Sequence, residues 1–211
     1  MKTIFVEESY SSFEDLHDKK WIENIFIITK GKGLDSIVDD FVNQWWGTAR
    51  MFTLPWLASI PDDNLEKTQI VRWDSLFNNI GFNGAIWKVA ESSYCSFYYA
   101  YECLLVSLLS YLEQEDLRVT DRKFNSLLIK YFGESGLSRY WSSKSISISR
   151  ELRNSIVHNG GKVTVRLQKL GYDQHLSGDH IKVAATDVRL LHTTLQMLVT
   201  DLIHTIIERR S

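Results

Sequence analysis

Arg153 and His158 stand five residues apart in RELRNSIVHNGG, residues 150 to 161, with Asn154 directly after the arginine. Histidine is the side chain whose ordinary titration falls near neutrality, and arginine presents a fixed cationic fork that matches phosphate oxygens. Together they suit metal-independent cleavage of an RNA phosphodiester: a base removes the 2′-hydroxyl proton while a cation stabilises the charge building on phosphorus. The same residues also suit a plain helix end. A cation in the last turn complements the helix dipole, and HNGG reads as a C-cap in which Asn159 or Gly160 supplies the left-handed residue. Eleven arginines and six histidines are enough for one such spacing to arise by chance, so spacing alone favours capping.

Helical geometry adds a constraint. Asn154 and His158 are one turn apart and share a face, whereas five residues carry His158 about 140° round the axis from Arg153. One helix therefore does not close both on a single substrate atom. Two copies packed about a two-fold axis would set Arg and His of one chain opposite those of the other, so this chemistry asks for a homodimer. From Lys144 to Tyr172 the chain carries six basic residues (Lys144, Arg150, Arg153, Lys162, Arg166, Lys169) against one acid, Glu151, which makes either a phosphate-facing patch or a solvated face.

The elements that must hold this stretch read as helices. Ile37, Phe41, Trp45 and Ala49 are spaced four apart behind Asp35, a candidate N-cap, and Pro55 and Pro61 bracket a break. Leu65, Ile70, Trp73 and Phe77 follow at helical spacing, stopped by NNIGFNG. A long helix is predicted from about Ala85 to Glu115; its YCSFYYAYECLLVSLLSYL is apolar nearly all round, as in the central helix of a bundle, yet too short and too interrupted by Ser and Glu for a membrane span. Two helices follow, from about Asp121 and from Leu137 to His158, joined by GESG. Then comes a short strand, HIKVAA, and a final helix capped by Thr186. Val188, Leu191, Leu195, Leu198, Leu202 and Ile206 form the stripe of that helix. WIENIFIITKGKG near the start reads as either a strand or a helix end.

Composition agrees with one sizeable helical core and excludes some functions. Two prolines in 211 residues leave little room for disordered linkers, and a formal charge of −2 is not that of a globally basic nucleic-acid binder. Cys95 and Cys103, eight apart in an apolar run, are too distant on a helix for a disulfide and read as buried thiols. No apolar stretch follows the first lysine as in a signal peptide, and a cytoplasmic protein without membrane attachment is expected.

With its setting, RNSIVH resembles the Arg-x4-6-His signature of the HEPN superfamily: it ends a helix, follows a long aromatic-rich helix and precedes a long amphipathic one. The RNxxxHN form, with Asn154 and Asn159, strengthens the likeness. The resemblance covers roughly residues 84 to 209. It implies an all-α, HEPN-like helical bundle over residues 84–211; it does not explain residues 1–83, which read from their own apolar spacing as a mostly helical N-terminal extension. It further implies a metal-independent endoribonuclease of toxin or anti-phage type, working on RNA as a homodimer, with an antitoxin or another protein as partner. Arg153, His158 and Asn154 would be catalytic, and Asn154 would orient His158 or the scissile phosphate. Some relatives lack activity, so a non-catalytic protein-interaction or RNA-binding module is the alternative.

Around that centre, Arg150, Asn159 and Lys162 are expected to bind substrate. Glu102, expensive to bury unpaired, would orient Arg153 or His158 across the bundle or else form a structural ion pair or an exposed edge; Glu151 is a second candidate for tuning. No cofactor and no metal are expected. His192 and His204 are twelve apart, GKGLDS lacks the P-loop spacing, and no serine-elbow motif occurs. Of the seven tryptophans most should fill core, with one ring of the Trp45–Trp46 pair partly exposed.

Overall fold

The computed structural model describes Leu16 and residues 19–57, 80–172 and 176–210. The chain is all-α in class: helices α1 (Lys19–Thr29), α2 (Asp35–Leu57), α3 (Ile80–Glu113), α4 (Phe124–Leu137), α5 (Lys144–His158), α6 (Val165–Lys169) and α7 (Ala185–Arg210) account for most of it. A five-residue π-helical turn, Ser138–Ser142, joins α4 to α5. The only strands among the described residues are β1 (Leu176–Ser177) and β2 (His180–Ile181), an antiparallel pair. Residues 1–15, Pro61 and the predicted helix around Leu65, Ile70, Trp73 and Phe77 lie outside the described residues.

α3 is the axis of the molecule. It is apolar nearly all round, and α2, α5 and α7 pack against it. Phe97, Tyr98, Tyr101, Leu105, Leu108 and Leu109 are fully buried along it. Trp45 of α2 stacks edge-on against Phe97 at 4.7 Å and lies 5.0 Å from His192 of α7, so one indole joins three helices. Its neighbour Trp46 is partly exposed beneath the Arg50 guanidinium at 4.3 Å. WIENIFIIT is helical, not a strand: Ile22 and Ile25 face the core, and the Trp21 indole N–H donates to Thr200 Oγ1 of α7 at 2.9 Å. The boundary between residues 83 and 84 falls inside α3, and residues on both sides of it share one core.

Several element boundaries differ from expectation for identifiable reasons. α2 runs two residues past Pro55. α3 begins at Ile80, inside the NNIGFNG cluster expected to stop the preceding helix. α4 continues through GESG, with its break confined to Gly133 at φ 73, ψ 176, a conformation reserved for glycine. α5 starts at Lys144 and not near Leu137, because Ser143 is extended and its hydroxyl accepts the Ile146 amide. Thr186 does not cap α7; the Asp187 carboxylate reaches back to the Ala184 amide at 2.7 Å, so the helix opens two residues earlier than a Thr186 cap would place it.

The expectation that the α3 stretch is too short and interrupted for a membrane span is also corrected. Lys88–Glu113 and Ala185–Arg209 each reach a mean hydropathy of 1.2 over a length that could cross a bilayer. Both helices nevertheless turn their most apolar faces into the bundle, where Leu104, Leu105, Val199 and Leu202 are buried.

Candidate functional site

α5 crosses α3 with Leu152 and Ser155 buried, which turns Arg153 toward Glu102 of α3. Arg153 Nη2 donates to Glu102 Oε1 at 2.6 Å, and the two side chains are 17% and 10% exposed. Burial pushes the Glu102 carboxyl up; the guanidinium groups of Arg153 and Arg150 oppose that by favouring the charged form. Arg153 also donates through Nη1 to Asn154 Oδ1 at 2.9 Å, while its Nε is buried with no hydrogen-bond partner. Its guanidinium carbon lies 6.0 Å from the Tyr98 ring centroid. A charged fork fixed on two sides, with few rotamers left, is a preorganised cation.

His158 is the last residue of α5 and is exposed; among the described residues its ring makes no hydrogen bond. It therefore stands exposed at the helix end, on a different side of the helix from Arg153. Asn154, expected to orient His158 or a phosphate, holds Arg153 instead. Asn159 is the exposed C-cap at φ −127, ψ 22, so the left-handed positions fall on Gly160 and Gly161, at φ 59 and 77. Lys162 is exposed and bridges to His180 on the hairpin.

Two expected participants are tied to neighbouring elements. Arg150 Nη1 donates to the Trp141 carbonyl at 3.2 Å and the guanidinium lies 4.3 Å over the Trp141 ring, which anchors the π-helical turn to α5. Glu151, a candidate for tuning the site or else a plain surface charge, does not lie at the surface. It is buried and pairs with Arg166 Nε at 3.1 Å, tying α5 to α6.

A residue that sequence reasoning passed over sets the end of α5. Ser155 is 1% exposed; its carbonyl accepts the amides of Asn159 and Gly161, both at 2.9 Å, and its hydroxyl donates to the Lys162 carbonyl. Gly161 in turn accepts the Ile181 amide at 2.8 Å. The turn after His158 is thus tied at three points. A serine mid-helix carries little sequence signal, and the glycines beside it were the visible half of this device.

On α3, Cys95, Tyr99 and Cys103 line up at four-residue spacing beside Arg153, with Tyr99 half exposed. Both cysteines are free thiols, but each is only partly buried and not the buried thiol expected, because this side of α3 is left partly open to water around Tyr99. Burial pushes the Cys95 thiol up to about 12 despite the nearby Arg153. Among the described residues no three His, Cys, Asp or Glu side chains gather to hold a metal ion. Glu102, Arg153 and Asn154 are therefore brought together, His158, Asn159 and Lys162 form an exposed end one turn on, and Arg150 and Glu151 brace neighbouring elements. No family model, curated protein or solved structure matches this chain.

Proposed function

We propose that the chain is a metal-independent endoribonuclease of HEPN type, a cytoplasmic toxin or defence component whose active site is composite across a homodimer. The observation that carries this reading is the division of labour on α5. Arg153 is held rigid by Glu102 and Asn154, and His158 is left unengaged at the helix end. A rigid cation and a free titratable base are what 2′-hydroxyl attack on phosphorus asks for. Their angular separation on one helix supports a second copy of α5 as the source of the opposing groups. Half-exposed Tyr99 and Val157, flanking the site on α3 and α5, give such a copy apolar surface to cover.

The test is cleavage of single-stranded RNA by the purified protein in EDTA. Wild type cleaves and His158→Ala does not, while its melting temperature stays unchanged because His158 is exposed and unengaged. Equal cleavage by both proteins removes the catalytic assignment.

One observation favours the non-catalytic module: Arg153 already spends its charge on Glu102. That reading predicts RNA or protein binding with no cleavage, unchanged in His158→Ala.

A further inference from the structure

Metal-independent cleavage of RNA moves two protons, and α5 accounts for one of them. As the 2′-oxygen bonds to phosphorus its proton goes to a base, here His158. As the bond from phosphorus to the 5′-oxygen breaks, that oxygen leaves poorly unless an acid protonates it. α5 holds a single histidine, and its arginines do not give up a proton.

The backbone after α5 brings a second histidine to the same end. The Lys162 amide donates to the Asn159 carbonyl at 3.2 Å, closing a turn in which the Cα atoms of Asn159 and Lys162 are about 7 Å apart or less. Lys162 then faces His180 of β2 across an antiparallel bridge. On one side of that bridge the Val163 amide donates to the Asp179 carbonyl at 2.9 Å, and on the other the Ile181 amide donates to the Gly161 carbonyl at 2.8 Å. Bonds that flank the pair in this way mark the closer kind of antiparallel pair, with Cα atoms about 4.5 Å apart and both side chains on one face. Ile181 is 3% exposed and turned into the core, so its neighbour His180 and the facing Lys162 are turned outward, at the end of α5 where His158 is exposed.

His180 is also oriented. Its Nδ1 lies 2.7 Å from Asp179 Oδ1, so the Nδ1 proton is donated to the carboxylate, and the proton that the imidazolium can release sits on Nε2. The side chain is 48% exposed, which leaves room for a substrate to reach it.

From this arrangement we infer that His180 is the acid that protonates the departing 5′-oxygen, with Lys162 between the two histidines at the phosphate oxygens. The inference rests on the ribonuclease reading and completes its proton balance. The 2′-hydroxyl proton passes to His158 as the bond from the 2′-oxygen to phosphorus forms; the bond from phosphorus to the 5′-oxygen breaks, and the Nε2 proton of His180 goes to that oxygen. The products are a 2′,3′-cyclic phosphate and a 5′-hydroxyl, and exchange with water returns both rings to their starting states. A second copy of α5 is then needed for its cation and not for the acid.

Turnover of two substrates by the full chain in EDTA tests it: the dinucleotide uridylyl-3′,5′-adenosine, whose 5′-oxygen needs a proton to leave, and uridine 3′-(4-nitrophenyl phosphate), whose nitrophenolate leaves without one. His180→Ala slows the dinucleotide about a hundredfold or more, the usual share of a general acid, and slows the nitrophenyl ester far less. His158→Ala slows both, because each substrate must lose its 2′-hydroxyl proton. Should His180→Ala fail to fold, His180→Gln takes its place with the same split between substrates. Wild type that cleaves both substrates while the His180 variant loses neither, or loses both equally, overturns the inference and leaves the ribonuclease reading standing. Wild type inert on both substrates removes that reading, and this inference with it.

Discussion

At the scale of single residues, the Glu102 and Arg153 pair decides what α5 presents. Removing one partner of a largely buried pair strands the other, so Glu102→Ala should lower unfolding free energy by about 2–4 kcal/mol, read by urea titration. A change under about 0.5 kcal/mol would show the pair to be inert. The pH dependence has a definite sign. The folded carboxyl is raised by burial, so its contribution is fullest in acid and declines as pH rises through the folded value, upward from the ordinary carboxylate range. Stability of wild type relative to Glu102→Gln should therefore fall as pH rises above the ordinary carboxylate range; a relative gain would contradict the assignment. Cys95 gives a third check. Raising a thiol from 9.0 to about 12 cuts the thiolate present near pH 8 roughly a thousandfold, so native Cys95 should resist iodoacetamide while the denatured chain reacts readily. Rapid labelling of the native protein would oppose this. Little of this was legible in the sequence: RNSIVH and the lone Glu102 were visible, but the partner that Asn154 chooses depends on how α5 is rotated on α3, a tertiary fact.

At the scale of elements, the devices that start and stop α4 and α5 set where His158 stands. Gly133 at φ 73, ψ 176 lets α4 break without ending, and Gly133→Ala should destabilise by about 1–3 kcal/mol, seen as a lower melting temperature. An unchanged melting temperature would mean the break is adaptable. The helices were legible wherever apolar residues kept a 3.6-residue period, as in Phe41, Trp45 and Ala49 of α2 or Val188, Leu191 and Leu195 of α7. Their ends were less so. Ser143 and Asp187 act through side-chain acceptance of a backbone amide, and either residue type appears often enough elsewhere to hide among equals. Between them lies the π-helical turn Ser138–Ser142, held by Arg150 over Trp141 and by the Tyr101 hydroxyl donating to the Tyr140 carbonyl at 2.6 Å. No local pattern announces a contact between residues 39 positions apart.

At the scale of the whole molecule, α3 carries α2 and α7 at once. Trp45, Phe97 and His192 meet in one cluster, so a fragment of residues 84–211 should expose the α3 face that α2 covers and fail to fold cooperatively. A sharp thermal transition in that fragment would contradict this. The all-α class was legible from composition and period, whereas the sharing of one core across residue 83 was not, because it depends on which faces meet. The ribonuclease account is tested most directly by the ends it leaves on RNA. Attack by a 2′-oxygen on phosphorus with loss of the 5′-oxygen requires 2′,3′-cyclic phosphate and 5′-hydroxyl ends. End-group analysis of single-stranded RNA incubated with the protein in EDTA should find those ends with wild type and none with His158→Ala. Intact RNA, 3′-hydroxyl ends, or the same cyclic ends from both proteins would contradict it.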